Sequence, residues 1–106
     1  MKGCFFRELY IAIRVKVLLS EITKKIKECV SEIEYYNSDA PDITIPAVNS
    51  LKECEKLINN LNEENIEKAL KVVTRLYQQA RAYFEFVPTS VSNLMYIKDW
   101  LEKAKK

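Results

Sequence analysis

The chain has 106 residues, 48% hydrophobic and 30% charged, enough for one buried core and too ordinary a mixture for a disordered tail or an integral membrane protein. Its 17 basic and 15 acidic residues leave a net charge of +2, far from the strongly basic balance of a nucleic-acid or membrane surface. One glycine, Gly3, and three prolines are too few turn formers for the hairpins of a sandwich or barrel, so composition favours helix.

The first segment, 5–36, places Ile11, Val15, Leu18, Ile22, Ile26, Cys29, Ile33 and Tyr36 in steps of three and four, the spacing of a helix seam. Lys16, Ser20, Thr23, Lys27, Ser31 and Glu34 repeat with the same period on the opposite side. Ile11, Ile13, Val15 and Val17 also alternate with Ala12, Arg14 and Lys16, which is a strand signal. Helix is the expectation, because the other strand candidate, Ile43 to Ile45, is short and stops at Pro46, and an isolated strand pair is marginal. The apolar run from Leu9 to Leu19 is broken by Arg14 and Lys16, which is too charged for a membrane span. It lacks a small-residue cleavage site, so a cytoplasmic protein with no membrane partner is expected.

Asn37 to Pro46 is rich in Asn, Ser, Asp and Pro and is expected to be the one loop of any length. A second helix is predicted over 47–61, seamed by Ala47, Leu51, Cys54, Ile58 and Leu61, with Ser50 and Glu53 at capping-box spacing and Pro46 as an earlier alternative start. Asn62 is a good N-cap for a third helix over 63–87, whose seam of Ile66, Leu70, Val73, Tyr77, Ala80, Phe84 and Val87 keeps the period of left-handed bundle packing. Pro88 ends it. Thr89, Ser90 or Ser92 caps a fourth helix over 90–105 carrying Val91, Leu94, Ile97, Leu101 and Ala104, with Lys103, Lys105 and Lys106 at its negative end. The expected fold is all-α, a single antiparallel bundle of about four helices with a long first helix whose N-terminal end overhangs the others. Phe5, Phe6, Leu9, Tyr10 and Ile13 make that overhang apolar on several sides, the pattern of an interface.

The chain contains no histidine, which removes the commonest general base together with Ser-His-Asp, Cys-His and His-ligated metal sites. A single glycine removes glycine-rich phosphate loops and dinucleotide fingerprints. The three cysteines, Cys4, Cys29 and Cys54, are widely spaced; Cys29 and Cys54 fall on apolar faces and read as reduced, buried thiols, with a disulfide between them as the alternative. No cofactor is expected.

Glu63, Glu64 and Glu67 form an E-E-x-x-E pattern that resembles the magnesium site of all-α nucleotide pyrophosphohydrolases, with Asp99 and Glu102 as an imaginable second half. The resemblance covers five residues, sits in the third helix and lacks a matching E-x-x-D. Carboxylates in a first turn are ordinary partners of the helix dipole, and that is the reading preferred here. Lys68, Lys71, Arg75 and Arg81, with Gln78 and Gln79 nearby, form a basic stripe that could follow a phosphate backbone and that Arg7, Arg14, Lys24, Lys25 and Lys27 could extend; solvation of an exposed face is the ordinary explanation. Tyr77, Tyr83, Phe84, Phe86, Tyr96 and Trp100 gather around the last turn of the bundle and are expected chiefly to close the core. Tyr83 and Phe86 lie off the seam and join the interface residues. The leading expectation is therefore a non-catalytic bundle acting through protein contacts, most simply as a homo-oligomer. A nucleic-acid-binding subunit comes second and a magnesium-dependent pyrophosphohydrolase third.

Overall fold

The computed structural model describes residues 19–105; the overhang residues Phe5, Phe6, Leu9, Tyr10 and Ile13 lie outside that range, as does the strand-or-helix question from Leu9 to Leu19 except at Leu19 itself, which is helical. The described chain is an all-α antiparallel four-helix bundle: α1 over 19–34, α2 Pro41–Asn59, α3 Glu63–Ala82 and α4 Pro88–Lys105. The direction of the helices follows from their cross-links. Glu32 near the end of α1 meets the start of α4, and Lys105 at the end of α4 lies 3.4 Å from Glu67 at the start of α3. None of the described helices is long and apolar enough to cross a membrane.

The seams meet as their period demands. Ile22, Ile26, Cys29 and Ile33 of α1, Val48, Leu51, Cys54 and Ile58 of α2, Ala69, Val73, Leu76 and Ala80 of α3, and Leu94, Ile97 and Leu101 of α4 form one buried core. Burying each large member is worth about 1.5–3 kcal/mol. Cys29 and Cys54 are both buried and unbonded, packing as small hydrophobes. Desolvation pushes the Cys29 thiol up from 9.0 to about 11 and the Cys54 thiol from 9.0 to about 12, with neighbouring negative charges adding to the effect and hydrogen bonds to Ser90 and Asn93 opposing it at Cys29.

Polar groups fix how α1 lies against α4. Buried Asn93 donates through Nδ2 to the Lys25 carbonyl at 3.2 Å and to Glu28 Oε2 at 3.0 Å. Sliding either helix by a turn would leave that amide unsatisfied in the interior, so the pair sets the register.

Several expectations about element boundaries and caps need correction. α2 starts at Pro41, not at residue 47, and Pro46 lies inside it. Pro41 at the first helical position is preset for the helix, and Thr44 adds a buried position one turn before Val48, so the apolar seam reaches back through what composition marks as loop. The connection shrinks to 35–40, and Ser50 and Glu53 sit mid-helix where they cap nothing. α3 ends at Ala82, where residues 83–86 form a turn; Val87 still reaches the core, but Phe84 is exposed rather than part of the seam. The cap of α4 comes from a distant helix. Glu32 Oε2 accepts from the Thr89 amide at 3.1 Å and Oε1 from the Ser90 amide at 2.7 Å, while the buried Ser90 hydroxyl has no partner among the described residues. Asn62 caps α3 as the sequence indicates, its side chain accepting from the Asn65 amide at 2.8 Å.

Candidate protein-docking surface

Antiparallel order brings the end of α1, the 35–40 turn, the start of α2, the end of α3 and the 83–87 turn to one end of the bundle. This end is apolar for a local reason. The aromatic run Tyr83 to Phe86 falls in a turn too short to bury it, and Tyr35 leaves α1 just past the last core position, Ile33. Tyr35 is 79% exposed, Phe84 58%, Phe86 56% and Tyr83 43%. Two of them, Tyr35 and Phe86, are joined through Tyr36. Tyr35 and Tyr36 meet edge to face with ring centroids 5.1 Å apart, and Tyr36 meets Phe86 at 5.9 Å in the same manner.

Beneath these rings the core is incomplete. Ala47 of α2 and Ala80 of α3 are small where neighbouring layers carry Leu and Ile, and a cavity of about 320 Å3 remains between them. Ile33, Leu51, Leu76, Val87 and Leu94 form its inner wall, and Tyr36, Ile43, Tyr83 and Phe86 its mouth. The hydroxyl of Thr44, which also lines it, is already spent on the Ala40 carbonyl at 3.1 Å. Asp39 is the one charged residue of the lining among the described residues. Glu34, Asp39, Asp42 and Glu85 are exposed around this end, against Arg81 as the single cation among the described residues. Arg81 itself leans over the Tyr77 ring, 5.8 Å from its centroid.

Of the sequence-derived interface residues, Tyr83 and Phe86 thus lie on one exposed apolar end. Core closure by the aromatics holds only for Tyr77 and Trp100, which pack half-buried against the core; Phe84 and Tyr96, like Tyr83 and Phe86, are exposed. The cavity was hidden from sequence reading: residues 41–46, with Ile43, looked like loop, and Ala47 and Ala80 read as ordinary seam positions.

The basic residues do not act as one set. Lys68 pairs with Glu64 at 2.9 Å, an interaction that holds the Glu64 carboxyl below its usual range, and Arg75 donates to the Ser50 hydroxyl at 3.3 Å. Lys71 shares their exposed face, whereas Arg81 points along a different side of the helix. The carboxylates Glu63, Glu64 and Glu67 are all exposed, with Glu67 directed to Lys105 and Glu102 of the imagined second half bound to Lys98 at 2.7 Å. Among the described residues no group of three acidic or cysteine side chains gathers around a point where one ion could sit.

Comparison with protein-family models, with curated proteins and with solved structures finds no match to this chain. The functional reading accordingly rests on its own residues.

Proposed function

We propose that the chain is a non-catalytic helical-bundle protein that works by docking protein, and that it does so by associating with further copies of itself. The observation that carries the reading is the apolar end: the joined rings of Tyr35, Tyr36 and Phe86, with Tyr83 and Phe86 exposed at the mouth of an apolar cavity. Single exposed hydrophobic residues are normal, but contiguous rings over a void leave apolar area that association would remove from water. Aromatic side chains flanking a pocket are also the usual energetic centre of a protein interface.

The nucleic-acid reading has less behind it, since Lys68 and Arg75 spend part of their donor capacity within the bundle and the net charge is small. A pyrophosphohydrolase would need carboxylates converging from facing helices, and Glu64, Glu67 and Glu102 pair with lysines instead.

Light scattering on size-separated protein over a range of concentrations tests the proposal. The mass should exceed that of one chain and rise with concentration, and Phe86→Asp should lower it without changing the helical circular dichroism. A wild-type mass fixed at one chain would reject self-association.

A further inference from the structure

We propose that the apolar end receives the segment 1–18 of a second copy, head to tail, with a phenylalanine of the Phe5–Phe6 pair seated in the cavity. This deepens the self-association reading above and rests on it. Three observations point to this occupant.

The first is charge. Glu34, Asp39, Asp42 and Glu85 ring the apolar end. A symmetric dimer through this end would apply the same patch to itself and set like carboxylates against one another. The segment MKGCFFRELYIAIRVKVL instead offers Lys2, Arg7, Arg14 and Lys16 against the single acid Glu8. Opposite charges across an interface favour encounter and fix its orientation.

The second is size and chemistry. A cavity of about 150 Å3 lined by Leu, Ile and Phe is known to hold benzene, so about 320 Å3 with a lining of Ile, Leu, Val and Ala leaves ample room for one benzyl group. Phe5, Phe6, Leu9 and Tyr10 supply apolar anchors next to the cations.

The third is position. The segment precedes Leu19, the first described residue of α1, and α1 runs from there to the apolar end, about 24 Å away at about 1.5 Å per residue. To reach its own copy's cavity the segment must double back over all of α1, whereas a neighbour's apolar end carries no such constraint. The contact is heterologous, with socket and plug at different places on each copy, so wild-type protein forms rings or open chains.

The test uses the full chain in two variants. Phe5→Asp/Phe6→Asp destroys the plug and keeps the socket; Phe86→Asp does the reverse, with Ile43→Asp as a second socket variant should the first lose its helical circular dichroism. By light scattering, wild type should form concentration-dependent assemblies, each variant alone should run as one chain, and an equimolar mixture of plug and socket variants should give a dimer and nothing larger. Assembly by the plug variant alone would show that the apolar end docks without the segment, overturning the occupant but keeping self-association. Assembly by the socket variants alone, or a mixture that stays at one chain, would likewise overturn it. Wild type that remains one chain throughout would remove the docking reading together with this one.

Discussion

Glu32 should be worth more to this fold than any ordinary surface carboxylate. The first amide of α4 is absent because Pro88 occupies the first helical position, and the residue before it, Val87, has no side-chain acceptor to offer the next two. Glu32 supplies one oxygen to each, at 3.1 Å to Thr89 and 2.7 Å to Ser90, and its charge faces the positive end of the helix. Hydrogen bonds to a charged group contribute about 1.5–3 kcal/mol each in favourable settings, and the Thr89 amide can turn to water when its acceptor is lost. The buried Ser90 residue cannot do so easily. Glu32→Ala should therefore cost about 2–3 kcal/mol, and Glu32→Gln, which keeps one acceptor and loses the charge, about 1 kcal/mol. At about 4–8 °C per kcal/mol for a chain near this size, Glu32→Ala should lower Tm by about 10–20 °C. Urea unfolding followed by circular dichroism measures the change, with Glu34→Ala as a control that is exposed and nearby but makes no such bonds. A Glu32→Ala loss no greater than that of Glu34→Ala would refute the capping account.

Other consequences follow from the core and the charges. Between pH 9 and pH 11 the unfolded thiols ionise while buried Cys29 and Cys54 stay protonated, so the stability they contribute is complete below pH 9 and falls on raising pH by about 1.4 kcal/mol per unit per thiol. Cys54→Ala should remove one such share from the measured slope in that window, and an unchanged slope would contradict the burial. Ile97→Ala, at a fully buried position, should cost about 2–5 kcal/mol in urea unfolding, and a cost under about 1 kcal/mol would place Ile97 outside the core. Neutralising Lys68, Lys71, Arg75 and Arg81 together should leave the light-scattering mass and any weak DNA affinity unchanged; a fall approaching about 3.6 in the slope of log affinity against log salt, at about 0.9 per phosphate contact, would revive the nucleic-acid reading.

The helices were legible in the sequence wherever a long apolar period ran without interruption. Ile22 through Ile33 and Val73 through Ala80 needed nothing more than steps of three and four. Local chemistry misled at the joins, because a join is decided by partners far away in sequence. Pro41 to Pro46 reads as a loop by composition, yet Thr44 and Val48 find a core beside Leu76 and Ala80, and that burial outweighs one proline inside the helix. The start of α4 reads as a choice among Thr89, Ser90 and Ser92, yet the cap is a glutamate more than fifty positions earlier. Spacing within one segment carries no trace of such a bond.

The apolar end was half legible for the same reason. Tyr83 and Phe86 stood out because they broke the seam of α3, a property of one segment. What makes them more than stray aromatics is the void beneath them, which is lined by alanines at 47 and 80 from two different helices. An alanine on a seam is unremarkable in sequence, since it satisfies the apolar pattern while leaving the volume unfilled. Filling the void should therefore separate packing from docking. Ala80→Leu adds apolar volume at a site that has room for it, so it should stabilise the chain or leave it unchanged in urea unfolding, whereas overpacking a filled core costs about 1–3 kcal/mol. The same substitution should weaken self-association measured by light scattering. A variant that is destabilised by that amount would show that the void is no receptacle, and one that is stable but associates as before would show that the rings dock without using it.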